Sequence, residues 1–584
     1  MRLTVLALIG LAAIAAWSQQ APAPPQNDLL RAMHDELERS RQIKLPNLEP
    51  PYFVQYLLDR EEAFTVTASL GGILARRHET IRQPQISIRV GDYQFDNSNF
   101  TGSGFNSGSR YDLGRFPLED RYDVLRRYLW LGTDTAYKSA VEAISRKQAA
   151  LRNVTQNDRL NDFAHAPAVK HVRPLPGITV DQDLWTRQVR TVSAVFAHYP
   201  EIKTSDVEFE GAAGGFTMVN SEGSEVREPE TAYVIRIRAT AQAEDGMTLR
   251  DVESFHSTDA MHLPGEAEMD RAARKLAQNV IALSHAPKGV DYNGPILFEG
   301  VAGPQILAEV LGKALVLTRR PVSDGGRGGG FQPSELEGRI GARVLPDSFD
   351  VLDDPTQTEW HGRPLFGHYE VDREGVMPAP LKVVEKGALK AYLLTRQPVR
   401  GYEGSNGRAR LPGNFGASTA TFSNLFFHSS NTVPAADLKK KLIEIIQARG
   451  KPYGIIVRKM DFPSSASIDE ARRLITASQG ERPISIPMLT YKVYPDGHEE
   501  LVRALHFRGL NTRSLKDILA AGDDQVRFEY MDNPAPFALI GGAGYTTEAS
   551  VIGPSILVDD LELHPLEEEQ PKLPVVTAPD LNVK

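Results

Sequence analysis

The sequence contains no cysteine among its 584 residues. No disulfide can staple the fold, no thiolate can ligate a metal or attack a substrate, and no lipobox cysteine can be acylated. A basic excess is also missing. The net charge of −9 argues against the cationic face that a nucleic-acid-binding surface needs. No apolar run long enough to span a bilayer follows the N-terminal segment. Short catalytic signatures are absent as well. There is no His-Glu-x-x-His zinc helix and no Gly-x-Ser-x-Gly elbow. The glycine-rich Ser323–Gly330 stretch lacks the Gly-Lys-Ser/Thr ending of a phosphate loop and reads as a flexible loop. The histidines form no clear ligand set. His256 and His262 flank Asp259 at spacings that match no helix face and read as a strand-end loop. His361 and His368 lie on either side of a turn and read as solvent-facing, and His498 follows the Pro495-Asp496-Gly497 turn.

What is present reads as an ordinary globular chain, 41% apolar and 24% charged, too long for one core and most simply divided in two. Residues 1–18 have the pattern of a signal peptide: Arg2, an apolar Leu3–Ala16 run, then Ala16-Trp17-Ser18 with small residues at −3 and −1. Residues 19–27 form a Pro- and Ala-rich lead-in expected to be disordered. With the signal removed, no membrane span is expected, and the location is periplasmic or secreted. An N-terminal domain is expected over 28–288, a β-rich C-terminal domain over 289–566, and a disordered acidic tail over 567–584.

Periodicity predicts helices over Asp28–Arg41, Leu118–Arg152, Asp181–His198 and the stretch holding Met269, Ala273, Leu276, Val280 and Leu283. It predicts strands over Tyr52–Leu58, Ala63–Leu74 and Ile86–Val90, then Val207–Val219, Tyr233–Thr240 and Met247–His256. Phe95–Ser109 reads as a polar loop. In the second half a helix is expected over Asp437–Arg449, among strands. Helices and strands come in blocks, so the expected class is α+β, two domains of mostly antiparallel sheets with packed helices.

Four stretches carry a family likeness. Asn220-Ser221-Glu222-Gly223 turns between two strands. Pro295–Val310 reads as a strand followed by a helix. Asp372-Arg-Glu-Gly375 precedes a Leu381–Tyr392 hairpin whose Gly387 suits a φ > 0 turn position, and Gly404-Ser-Asn-Gly-Arg408 follows. Ile552–Leu563 reads as a closing strand. In order and spacing these resemble the TldD/TldE (PmbA, modulator of gyrase) metallopeptidase family. The likeness runs from about residue 205 to residue 563.

The resemblance implies a zinc ion, in peptide-cleaving members, held by the two histidines of a His-Glu-x-x-x-His motif and a distant cysteine, with the motif's glutamate as general base. On this chain the six motif positions are Glu299-Gly300-Val301-Ala302-Gly303-Pro304. The first histidine falls on Glu299, the base on Gly300 and the second histidine on Pro304. Gly and Pro have no side chain able to ligate a metal, and the cysteine's region, Gly544–Ser550, holds none.

The resemblance is therefore to a TldE-like member lacking the motif. It implies no catalytic or metal-binding residue and no cofactor on this chain, with zinc only on a TldD-like partner. Whether the chain is an enzyme stays open. One reading is a non-catalytic subunit that binds peptides or completes a zinc-bearing partner's chamber. Others are a metallopeptidase with a nonstandard site using Glu299, Glu548 and a histidine, and a stand-alone envelope scaffold. Expected partners are a TldD-like subunit or a second copy, and a peptide. Asn406, Arg408 and Glu299 are the candidate peptide- or partner-binding residues, and an edge strand near Thr419–Phe427 is a candidate for pairing with a peptide.

Overall fold

The computed structural model describes residues 28–101, 109–111, 116–152, 160–323, 331, 333–412, 418–461, 484–532 and 546–566. The expected signal peptide, lead-in, acidic tail and most of the glycine-rich stretch lie outside the described residues. The fold is α+β in two domains.

The N-terminal half is built on one strongly elongated antiparallel sheet. Strands β1 (Pro51–Ser69) and β2 (Gly72–Val90) form a single hairpin. The expected Ala63–Leu74 strand is therefore interrupted by a tight turn at Leu70-Gly71, where φ is 50° and 82°. Strands β3 (Thr204–Asn220), β4 (Glu225–Gln242) and β5 (Thr248–Ser257) continue the sheet in the order β2-β1-β3-β4-β5.

Helices α1 (Asp28–Arg41) and α2 (Tyr122–Leu151) cover one end, burying Leu29, Met33 and Leu37 with Leu125 and Leu129. Helix α3 (Gln182–Ser193) is capped by Asp181, whose carboxylate accepts the Leu184 amide at 2.8 Å, as an N-cap side chain should. With α4 (Glu266–His285) it covers the other end, through Trp185, Val189, Met269, Ala273 and Val280. The Phe95–Ser109 stretch is not a surface loop throughout. Asp96–Asn99 are at most 1% exposed, because Asp96 pairs with Arg89 at 2.7 Å and Lys147 donates to the Asp96 and Ser98 carbonyls.

The C-terminal half contains two further sheets. Strand β6 (Tyr292–Phe298) leads into α5 (Ala302–Leu307) and a π-helical turn, Ala308–Gly312. Next come β7 (Phe349–Asp353), the two-residue strands β8 (Glu359–Trp360) and β9 (Arg363–Pro364), β10 (Leu381–Glu385) and β11 (Asn424–Ser429). Helix α6 (Ala435–Ala448) precedes β12 (Gly454–Met460), β13 (Pro487–Val493), β14 (Val526–Asp532), β15 (Thr547–Gly553) and β16 (Ile556–Pro565).

One sheet runs β10-β7-β11-β15-β14. The other runs β13-β12-β6-β16, with β6 and β12 parallel. α5 and the π-turn are buried between them, in a core that includes Ile306, Leu311, Phe422 and Phe427. α6 closes the far side of the second sheet through Leu438, Leu442 and Ile446. β11 pairs with β7 on one side and β15 on the other. It is an interior strand, correcting the expectation of an edge over Leu425–Phe427, whereas among the described residues Ser418–Ala420 pairs only with Ala409–Pro412 in a separate two-stranded sheet. Leu425 and Phe427 are fully buried, so the apolar run reflects core packing.

Candidate functional site

The buried strand β6 delivers the chain to the six motif positions, and Glu299, Gly300, Gly303 and Pro304 each have a structural task. The Glu299 amide prolongs the ladder by donating to the Val457 carbonyl at 2.9 Å. Its carboxylate takes the Arg458 Nε at 2.5 Å, while the same guanidinium grips Glu499 at 2.7 and 3.0 Å and lies over the Tyr491 ring. Hydrogen bonds to Glu499 and then Glu299 hold Arg458 protonated.

Gly300 adopts φ +62° and donates its amide to Ser555 Oγ at 2.8 Å. Ser555 Oγ in turn donates to Asp524 at 2.6 Å. The helix starts only at Ala302, later than the resemblance implies. Gly303 is needed for close approach, since a Cβ there would stand 2.3 Å from the Pro554 carbonyl oxygen. Pro304 is the third residue of the helix, within the first turn, where a missing N–H costs little.

These residues do not fit a zinc ion. Glu299 is the only ligating side chain of the three mapped positions, and Arg458 neutralises it. Glu548, the other carboxylate of the nonstandard set, pairs instead with Arg410. Among the described residues no group of three or more His, Cys, Asp or Glu is disposed to hold a metal.

Beside α5 a cavity of about 760 Å³ opens between the two halves of the molecule. Its N-terminal wall is the run Val252–His256 of β5, with the Met261–Gly265 turn. Its C-terminal wall is Val301, Gln305 of α5, Lys459–Asp461, the β8–β9 turn and the run Arg527–Tyr530 of β14. Consecutive residues from a strand line a cavity only when the strand presents its edge, since a face would contribute every second residue. Both strands are sheet edges: β5 pairs only with β4, and β14 only with β15, among the described residues.

The charges on the walls are mostly matched. Glu253 pairs with Lys459 at 2.8 Å and Asp461 with Arg250. Burial pushes the Glu529 carboxyl up to about 7, against the opposing pull of Arg527. His256 is pushed down to about 3 by burial and then by Arg236, so its imidazole is neutral. Gln305 spans from Glu309 to the Asp461 carbonyl, at 3.0 Å each.

Beyond Arg236, which bonds Glu210 at 2.5 Å, the interdomain surface is acidic. The side chains of Glu61 and Glu230 still reach solvent, but the protein packed around them first, and neighbouring carboxylates second, push their carboxyls up to about 7 and about 8.

The residues of the other family motifs lie away from the cavity walls and act within the fold. Asn406 accepts the Leu394 amide at 2.9 Å and donates to the Tyr392 carbonyl at 2.7 Å. Arg408 is 1% exposed and bonds Asp353 at 2.9 Å and the Ala379 carbonyl at 2.7 Å. Asp372 takes the amides of Glu374, Val376 and Ala409, tying the Asp-x-Glu-Gly turn to the Gly-x-x-Gly-Arg loop. His368 is half-buried and meets the Pro355 carbonyl at 2.7 Å, whereas His361 is exposed, as expected. His256 and His361 line the cavity. Nothing in their spacing announces this, because the cavity joins strand edges from opposite halves of the chain.

Residues 294–464 match the PmbA/TldA metallopeptidase C-terminal domain. Two curated relatives are each described as a metalloprotease. One, from Methanothermobacter thermautotrophicus, is 24% identical over 203 residues, covering 34% of this chain and 40% of the relative. The other, from Archaeoglobus fulgidus, is 36% identical over 78 residues, covering 13% and 17%. The chain thus spans less than half the length of these relatives.

Among solved structures, TldE from Thermococcus kodakarensis is similar over 91% of this chain and 99% of its own, at 12% identity and a TM-score of 0.55. A modulator of DNA gyrase from Bacteroides thetaiotaomicron is similar over 92% and 98%, at 12% identity and a TM-score of 0.54. These structural likenesses establish the fold. The sequence matches show that residues 294–464 carry the PmbA/TldA metallopeptidase C-terminal domain, and over most of its length the chain is similar in fold to the TldE and gyrase-modulator structures.

Proposed function

We propose that this protein is a non-catalytic, TldE-like member of the TldD/TldE family. It holds an extended peptide in the cleft between its halves, or completes the chamber of a zinc-bearing partner that does the cutting. The observation that carries the reading is that two strands with one sheet neighbour each among the described residues, β5 and β14, line one cavity. A sheet edge is a template for another strand. A peptide entering as that strand gains main-chain hydrogen bonds whatever its sequence.

The non-catalytic part is supported by Gly300 and Pro304, which have no donor atom, and by the Arg458 grip on Glu299. Export to the periplasm or beyond is supported by the pattern of residues 1–18. A domain boundary near residue 288 is supported by the change of sheet between β5 and β6.

The test uses a dye-labelled, unstructured octapeptide and a copy N-methylated at alternate backbone amides, both followed by fluorescence anisotropy. The N-methylated copy is expected to bind at least about tenfold more weakly, since each lost hydrogen bond removes about 1 kcal/mol. Equal affinities would sink the strand-pairing reading. One equivalent of tightly bound zinc together with chelator-sensitive cleavage by the unaltered protein would sink the non-catalytic part.

A further inference from the structure

We infer that the hairpin end of the cleft, at Arg363 and Arg527, is a binding site for a carboxylate on the bound peptide. The inference rests on the cleft's being a peptide groove and names the chemistry recognised at one end of it.

Arg363 follows a tight turn in which His361 and Gly362 both adopt left-handed φ, 50° and 72°. The turn is held by pairing of Trp360 with Arg363 and by the Trp360 ring stacked on His361 at 3.9 Å. The guanidinium is thus carried on a short, braced element. Arg363 is exposed, lines the cavity and makes no ion pair or hydrogen bond among the described residues.

Behind it, Arg527 donates to the Pro364 carbonyl at 3.1 Å and lies 3.4 Å from Glu529. Arg363 acts electrostatically on both Arg527 and Glu529, so the three groups form one cluster. Two guanidiniums face one carboxylate, and burial favours that carboxylate's neutral form. Glu253 and Asp461 are committed to Lys459 and Arg250, and Glu268 belongs to α4 on the opposite wall. Glu529 is taken up by Arg527, and the Arg363 guanidinium is left without an anion. A planar carboxylate is the group that a guanidinium fork binds with two parallel hydrogen bonds.

That carboxylate has two sources, a peptide's C-terminus or an internal acidic side chain. Anisotropy on the full chain with an N-terminally labelled Ala/Val/Ser octapeptide separates them. The octapeptide is prepared as the free acid, as the C-terminal amide, and as an amide carrying one internal Glu. With the unaltered protein, one of the two carboxylate forms binds at least about tenfold more tightly than the plain amide, and which one does so names the source. Arg363→Gln erases the difference between the carboxylate form and the plain amide, while Arg363→Lys restores part of it. If all three peptides bind alike, the carboxylate site is refuted and the groove stands. If none binds, groove and carboxylate site fall together.

Discussion

Replacing Arg408 with methionine discriminates between a ligand-binding and an architectural role for the glycine-flanked loop. Arg408 and Asp353 have side chains 1% and 0% exposed, with Nε and Oδ2 2.9 Å apart. The same guanidinium serves the carbonyls of Asp353, Ala379 and Asn406. Methionine keeps the buried stem and removes every donor. Asp353 retains the Ser423 amide and hydroxyl, at 2.8 and 3.0 Å, so its charge is softened but not matched.

Breaking a buried pair from one side costs about 3–5 kcal/mol. In a domain of this size that lowers the melting temperature by roughly 10 °C. Calorimetry reads the loss, and a double-mutant cycle with Asp353→Asn isolates the pair. A variant melting within about 2 °C of the parent, with peptide affinity as the only casualty, would refute the architectural assignment and return Arg408 to the binding surface.

Other outcomes follow from the same geometry. Gly303→Ala drives a methyl toward the Pro554 carbonyl oxygen, 2.3 Å away. It is expected to lower the free energy of urea unfolding by roughly 1–3 kcal/mol, and an unchanged urea midpoint would contradict the close packing described. The double variant Glu299→His with Pro304→His is expected to show no chelator-sensitive peptidase activity, because position 300 still lacks a base and holds a left-handed φ. Robust cleavage by that variant would show that two histidines suffice.

Glu529 has a folded-state pKa raised to about 7 by burial, against about 4.3 in an unfolded chain. Its contribution to stability is therefore complete below the unfolded value and lost as the pH rises through the folded one, an effect of about 3 kcal/mol at most. Glu529→Gln should flatten the fall in melting temperature between about pH 4.5 and 7. An unaltered slope would remove Glu529 from the account.

Much of the scaffold can be read from pattern alone. The amphipathic helices keep their expected positions because their apolar stripes face the sheets, as with Leu29, Met33 and Leu37 of α1. The family motifs are legible because they are turns that need particular residues, such as Gly387 at φ 73°. The β1–β2 turn is hidden because Leu70, with φ 50°, carries no turn signature. The Asp96–Asn99 stretch reads as polar loop because its partners, Arg89 and Lys147, are recruited from a distant strand and helix. β11 reads as an edge because an apolar strand does not announce how many neighbours it has. For the cavity, sequence supplies single residues such as His256 and His361 with no sign of their meeting, since strands about 270 residues apart supply its edges.

The place of β6 between β12 and β16 has a consequence for how the chain matures. Its antiparallel neighbour is the last described strand, made more than 250 residues after it. Until that segment has arrived, at the ribosome or across the membrane, the sheet is open along β6, so chaperone occupancy should concentrate there and end when residues 556–565 pair with it. Removing that final segment would leave Ile296, Leu297 and Phe298 uncovered, and the truncated chain would be expected to aggregate rather than fold into a smaller domain.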